Sequence, residues 1–172
     1  MSMNKAVFDK KCLHIREKYA TINEKLRVFL SGKGGFRMVL GVDFGDSRTG
    51  YATSDALGLS AHTLETYSEK SMQKVAEHTV SLVRELGAEK IVLGFPKNMN
   101  GTIGERGKKT KRLKKMLEEM AEIPVILWDE RLTTVSAHSL MNETNVRGKK
   151  RKESVDQIAA AYILQAYLDS SR

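Results

Sequence analysis

From residue 38 onward, short apolar runs alternate with longer stretches whose apolar positions fall three and four apart. Met38–Gly45 is the first run, of strand length, and Asp46-Ser-Arg-Thr-Gly50 after it has turn chemistry. Tyr51–Ser54 returns as a second strand, Leu57-Gly58 marks another turn, and His62–Tyr67 makes a third strand. Connections this short favour an antiparallel meander. Met72, Val75, Ala76, Val80, Val83 and Leu86 then share one face of a helix, with Gly87 where a helix stop belongs. Lys90–Phe95 reads as a buried strand ended by Pro96, and Asn100-Gly101 as a turn. Thr102-x-x-Glu105 predicts a capping box opening a helix through Met120. Val125–Trp128 is a further buried strand, and Thr133 or Thr134 can cap a short helix through Met141. Asn145–Lys152 reads as a glycine-bearing basic loop, after which Ser154-x-x-Gln157 caps a last helix to Leu168. Three hairpin-linked strands followed by alternating helices and strands predict an α/β fold. Its mixed five-stranded sheet has parallel later strands and helices on both faces. Right-handed crossovers carry the later strands out beside the first.

The first 30 residues have a different pattern. Phe8, Cys12, Ile15, Tyr19, Ile22, Leu26 and Phe29 recur at intervals of four and three, which predicts an amphipathic helix. Such a stripe needs a partner, either its own domain or a second copy in a homodimer. Ser31-Gly-Lys-Gly-Gly35 follows as a flexible linker. It resembles a phosphate loop superficially, but Gly34 stands where that loop needs Ser or Thr. The expected division is residues 1–36 as basic helix and linker, and residues 37–172 as the α/β domain.

Charge sharpens this picture. The formal charge is +8, and residues 1–37 alone hold nine Lys/Arg against three Asp/Glu. Further along, seven bases crowd between Arg106 and Lys115 and five between Arg147 and Lys152. Each cluster is either a solvated surface or a phosphate-binding one. No apolar stretch approaches the roughly 20 residues that span a bilayer, and the N-terminus lacks a signal-peptide core. Lone Cys12 excludes an intramolecular disulfide and a Cys-based zinc site. A cytoplasmic protein with no membrane partner is expected.

Three acidic positions carry the candidate chemistry. Asp43 closes the first strand, Asp129-Glu130 close the last, and Asp156 falls in the first turn of the predicted last helix. Functional groups of open α/β sheets gather at the carboxyl ends of parallel strands. A carboxylate there needs water, donors or a cation, because burying it unpaired is costly. Brought together, these acids form a cluster of the kind that holds Mg²⁺ or Mn²⁺ for phosphodiester hydrolysis. Each also has a structural role open to it. Asp43 can start a hairpin turn, Asp129 and Glu130 can pair with Arg131 or cap a helix, and Asp156 can meet a helix dipole.

Other chemistries find little support. His14, His62, His78 and His138 lack ligand-like spacing, and no nucleophile elbow is present. Asp43-Phe-Gly45 spells a kinase triplet without the glycine-rich loop and His-Arg-Asp motif that should precede it. An aromatic content of 6% offers little surface for stacking single-stranded bases.

Four segments converge on a known family: Val42-Asp-Phe-Gly-Asp-Ser-Arg-Thr-Gly50, Gly94-Phe-Pro-Lys-Asn-Met-Asn-Gly101, Asp129-Glu-Arg-Leu-Thr-Thr134 and Val155-Asp-Gln-Ile-Ala-Ala160. In order and spacing they resemble the YqgF (RuvX) family, over roughly residues 38–168. Its members are RNase H-like proteins related to the RuvC resolvases. They are assigned as Holliday junction resolvases and as nucleases maturing the 5′ end of pre-16S rRNA.

The resemblance implies an RNase H-like fold. It makes Asp43 the central metal ligand, Glu130 or Asp129 the second acid, and Asp156 the acid of the last helix. Asp43, Glu130 and Asp156 are thus the candidate catalytic residues, and these with Asp129 the candidate ligands of Mg²⁺ or Mn²⁺. Arg48 resembles a first-loop base that touches phosphate. In resolvase relatives the second acid follows the fourth strand, whereas here that strand ends in Gly94-Phe95-Pro96. Lys108, Lys109, Lys111, Arg112, Arg147, Lys149, Lys150, Arg151 and Lys152 are the remaining candidate nucleic-acid contacts.

The leading expectation is a metal-dependent endonuclease for structured nucleic acid, ribosomal RNA precursor ahead of branched DNA. The alternative is a catalytically silent nucleic-acid-binding module. Asp43 to Gly50 also resembles the phosphate hairpin of actin-like ATPases, but those need a second lobe for which 172 residues leave no room.

Overall fold

A computed structural model describes residues 38–98, 100–132 and 149–171, with backbone alone for 132 and 149–154. The N-terminal helix and linker, the homodimer expected from that helix, the short helix after Thr133, and Arg147 lie outside the described residues.

The meander is present as β1 (Val39–Phe44), β2 (Thr49–Ser54) and β3 (Ala61–Tyr67), paired antiparallel with one irregularity at Tyr51/Ala52. β4 (Lys90–Phe95) and β5 (Val125–Asp129) continue the sheet in parallel on the other side of β1, in the order β3-β2-β1-β4-β5. Three helices accompany it among the described residues: α1 (Met72–Leu86), α2 (Glu105–Ala121) and α3 (Lys149–Ser170). No helix of the described residues is long and apolar enough to cross a membrane.

Strand alternation divides the core into two layers. Leu40, Val42, Tyr51, Ile91 and Leu93 pack with the apolar faces of α1 and α2, whereas Val39, Ala52 and Val92 pack with Ala160, Ile163 and Leu164 of α3. A strand covered on both faces must be apolar at every position, which explains the unbroken runs of β1 and β4. The α1 boundaries follow local rules. Ser71 accepts from the Lys74 amide at its start, and Gly87 ends it at φ 62°, donating to the Arg84 and Val83 carbonyls.

The α3 layer is unusually close. A Cβ on Gly41 would lie 2.8 Å from Leu164 Cβ, and one on Gly50 only 2.0 Å from the Asp156 carbonyl oxygen. Hydrogen at these positions lets the helix backbone rest almost directly on the sheet.

Two expected helix starts are corrected. α2 begins at Glu105 behind Gly104, which makes no side-chain cap. Thr102 does not close a capping box, because its hydroxyl is engaged with Asn98 and Asn100. α3 begins at Lys149, so Lys149–Lys152 are helical rather than loop and Ser154 is interior rather than a cap. Asp156 therefore stands about two turns into the helix instead of in its first turn.

Gly50→Ala should cost roughly 3 kcal/mol or more in urea unfolding, because its new methyl meets backbone that cannot give. An equally stable variant would show that α3 does not sit where described.

Candidate active site

The strand parity that presses Gly41 against α3 turns Asp43 to the same face, at the carboxyl end of β1. Asp43 pairs across the hairpin with Gly50, the residue over which the Asp156 carbonyl closes. The tight helix seam thus brings Asp156 beside Asp43. Glu130 follows β5 as the first residue of a 3-10 turn, Glu130–Leu132. Its Oε1 lies 3.0 Å from where a Cβ on Gly94 would sit, so the acid leans over the end of β4.

The electrostatics link these groups. Burial pushes the Asp43 carboxyl up to about 6, the Arg106 charge opposing and the Asp156 charge adding to the rise. Burial likewise pushes Glu130 up to about 7, with the Asp43 charge raising it further, Arg106 opposing, and Asp129 adding. Asp43, Glu130 and Asp156 therefore occupy one region, while Asp129 is otherwise engaged. Arg131 holds it with Nε 3.0 Å from Oδ1 and a terminal nitrogen 2.8 Å from Oδ2, and Lys97 Nζ lies 2.9 Å from Oδ2. These hydrogen bonds keep the Asp129 carboxyl well below the usual range. Asp156 has a partner of its own, the Arg48 Nε at 2.5 Å from Oδ2. As placed, no three acids or other ligating side chains converge closely enough to enclose an ion among the described residues.

The segment that builds this region, residues 37–170, matches the family model described as RuvX: Holliday junction resolvase. The chain belongs to the RuvX family.

A relative from Acetivibrio thermocellus, named "Putative pre-16S rRNA nuclease", is 52% identical over 134 residues, covering 77% of this chain and 95% of its own. One of the same name from Clostridium novyi is 46% identical over 132 residues, covering 77% and 98%. Among solved structures, T. thermophilus RuvC in complex with Holliday junction substrate aligns with a TM-score of 0.51 at 13% identity, covering 78% of this chain and 96% of that one. That likeness extends to the fold. The RuvX chain thus has the RNase H-like mixed sheet of the resolvases.

Proteins of RuvC type generally use divalent metals, and the donor set of this RuvX chain fits one. Asp43 and Glu130 are partly exposed oxygen donors whose ionised forms burial and mutual repulsion disfavour. A hard dication would relieve both penalties. Asp156 can join them once Arg48 has another anion to hold.

The basic candidates are distributed around α2. Lys109 reaches across to Asp46 at 2.5 Å, Lys108 pairs with Glu105 at 2.7 Å, and Lys111 Nζ stands 5.8 Å from the Phe95 ring centre. Arg112 is exposed on the same helix, and the side chains of Lys149, Lys150, Arg151 and Lys152 lie outside the described residues. Two cations were not singled out from sequence, Lys97 and Arg106. Arg106 was visible only as one base in a run of seven, and no spacing rule separates it from its neighbours.

Both raised carboxyls have folded values above their unfolded ones, so their stabilising contribution is full below about pH 4 and lost as pH rises through 6 to 7. Without divalent cations, thermal melting should therefore show a penalty that sets in above about pH 4 and is larger at pH 8 than at pH 5. It should be on the order of 1–2 kcal/mol after solvent screening, and Glu130→Gln should remove part of it. Added Mg²⁺ should raise the melting temperature more at pH 8 than at pH 5. An equal response at both pH values would contradict the assignment.

Proposed function

We propose that this protein is a metal-dependent endonuclease acting on structured nucleic acid, and that it trims the 5′ end of pre-16S rRNA. The observation that supports it is that the Asp43 carboxyl feels the Asp156 charge and its own charge is felt by Glu130, at the carboxyl ends of β1 and β5 in a RuvX-family chain. Relatives 46–52% identical named for pre-16S rRNA support RNA as the substrate. Asp43, Glu130 and Asp156 would hold Mg²⁺ or Mn²⁺. Bound there, the metal supplies Lewis acidity towards the phosphodiester and a nucleophilic water.

The chain's own residues do the rest. Burial disfavours the ionised forms of Asp43 and Glu130, a penalty that a bound cation would offset. Lys97 and Arg131 neutralise Asp129 and keep it from competing with Glu130. Arg48, at the β1–β2 turn, is placed to exchange the Asp156 carboxylate for a substrate phosphate. Lys108, Lys109, Lys111 and Arg112 along α2, with Arg147 and Lys149–Lys152, give a phosphate-tracking surface that positions substrate without reading bases.

Asp43→Asn should reduce Mg²⁺- or Mn²⁺-dependent cleavage of a precursor rRNA fragment by roughly 10³-fold or more. Its melting temperature should be unchanged or raised, since one like charge is removed from a crowded site. Full activity in that variant would refute catalysis by this cluster. A four-way DNA junction assayed beside the RNA tests the resolvase alternative suggested by the family model.

Replacing Lys149, Lys150, Arg151 and Lys152 together with Ala should flatten the log–log dependence of RNA affinity on salt by about one unit per lost phosphate contact. An unchanged slope would make this segment ordinary solvated surface.

A further inference from the structure

The cations around the acid cluster differ in what holds them. Arg48 is bound to Asp156, Lys97 and Arg131 to Asp129, and Lys109 to Asp46. Arg106 is exposed, and among the described residues its guanidinium makes no ion pair or hydrogen bond. It is the second residue of α2, one helical step of three before Lys109. Residues three apart share a helix face, and the Lys109–Asp46 contact shows that this face looks onto the β1–β2 turn, close to Asp43. Long helical side chains lean towards the helix N-terminus, which directs Arg106 to the end of β4 where Glu130 lies.

This start of α2 is rigidly held. A Cβ on Gly107 would be 2.7 Å from Ile103 Cγ2 and 3.0 Å from the Pro96 carbonyl oxygen, so the helix is pressed onto the segment that leaves β4. That segment is itself braced by Asn98, whose amide donates to the Thr102 carbonyl at 3.0 Å and whose side chain donates to the Thr102 hydroxyl at 2.8 Å. The Arg106 charge is felt by both Asp43 and Glu130 although it bonds to neither. A guanidinium kept unpaired beside two half-buried acids suits an anion that arrives between them.

We propose that Arg106 is a catalytic residue whose guanidinium contacts the non-bridging oxygens of the scissile phosphate, opposite the carboxylates. This rests on the nuclease reading above. Hydrolysis joins the water oxygen to phosphorus, breaks one ester P–O bond and leaves a proton on the departing oxygen. The non-bridging oxygens must be stabilised throughout that exchange. Arg suits the task because its fork of N–H donors grips two phosphate oxygens at once and stays charged at every working pH. A donor preorganised on a braced helix costs no rearrangement as the reaction proceeds.

The test uses the full chain with Mn²⁺ and an end-labelled RNA hairpin carrying single-stranded flanks. Wild type and Asp43→Asn are measured first. If wild type does not cleave, or both cleave equally, the nuclease reading falls and this proposal with it. If only wild type cleaves, Arg106→Ala should lower kcat by roughly 10²-fold while KM changes by less than about threefold, and Arg106→Lys should recover part of the loss. Mn²⁺ binding, followed by electron paramagnetic resonance without RNA, should be as tight or tighter in Arg106→Ala because a repelling charge has gone. An unchanged kcat, a loss confined to KM, or a loss of Mn²⁺ binding would overturn the assignment while leaving the nuclease reading in place.

Discussion

The close seam between α3 and the glycines of β1 and β2 governs where Asp156 stands relative to Asp43, because at Gly41 and Gly50 it leaves no room for a side chain between helix and sheet. At Gly50 the Asp156 carbonyl approaches to within the space a methyl would need. The helix cannot slide along the sheet without forcing Leu164 into β1 at Gly41. Asp156 is therefore delivered to the end of β1 by packing rather than by any attraction between carboxylates. The Arg48 contact then spans a sequence separation of 108 residues and holds that carboxylate beside the hairpin turn. The opposite layer, built by α1 and α2 on Leu40, Val42, Ile91 and Leu93, covers the other face of the same strands.

The same packing creates an electrostatic cost. Asp43 and Glu130 both lose water and face one another's charge, whereas Asp129, one residue from Glu130, is richly paired. Neighbours in sequence thus end in opposite environments. The strand leaves Asp129 towards Lys97 and Arg131, and the 3-10 turn swings Glu130 back over Gly94. Arg106 offsets part of the cost from a distance. Two carboxyls whose ionised forms burial disfavours, with a braced guanidinium nearby, are expensive for stability alone and make sense as preparation for a ligand.

Much of this was legible in the residues. The strand runs, the α1 stop at Gly87, the meander and the parallel strands outside it follow from local pattern and turn chemistry, which the tertiary structure does not override. The helix starts were less legible. Thr102 has the right spacing for a capping box but spends its hydroxyl on Asn98 and Asn100. Lys149–Lys152 read as loop because a run of bases carries no apolar period, yet they continue the helix that Leu164 and Ile163 anchor. The choice between Asp129 and Glu130 depends on how the chain turns after β5, and the weight of Arg106 depends on which way one helix face looks. Neither is a property of spacing.

The order in which the acids occur along the chain has a consequence for biosynthesis. On the ribosome, β1 to β5 with α1 and α2 are complete while α3 has yet to be made. At that stage Gly41 and Gly50 line an open trough, and Arg48 has no carboxylate to grasp. A nascent or truncated chain ending before residue 149 can retain the layer under α1 and α2 but lacks Asp156. Assembly of the acid cluster is thereby tied to synthesis of α3, so a chain that stops short of it carries an incomplete set of carboxylates.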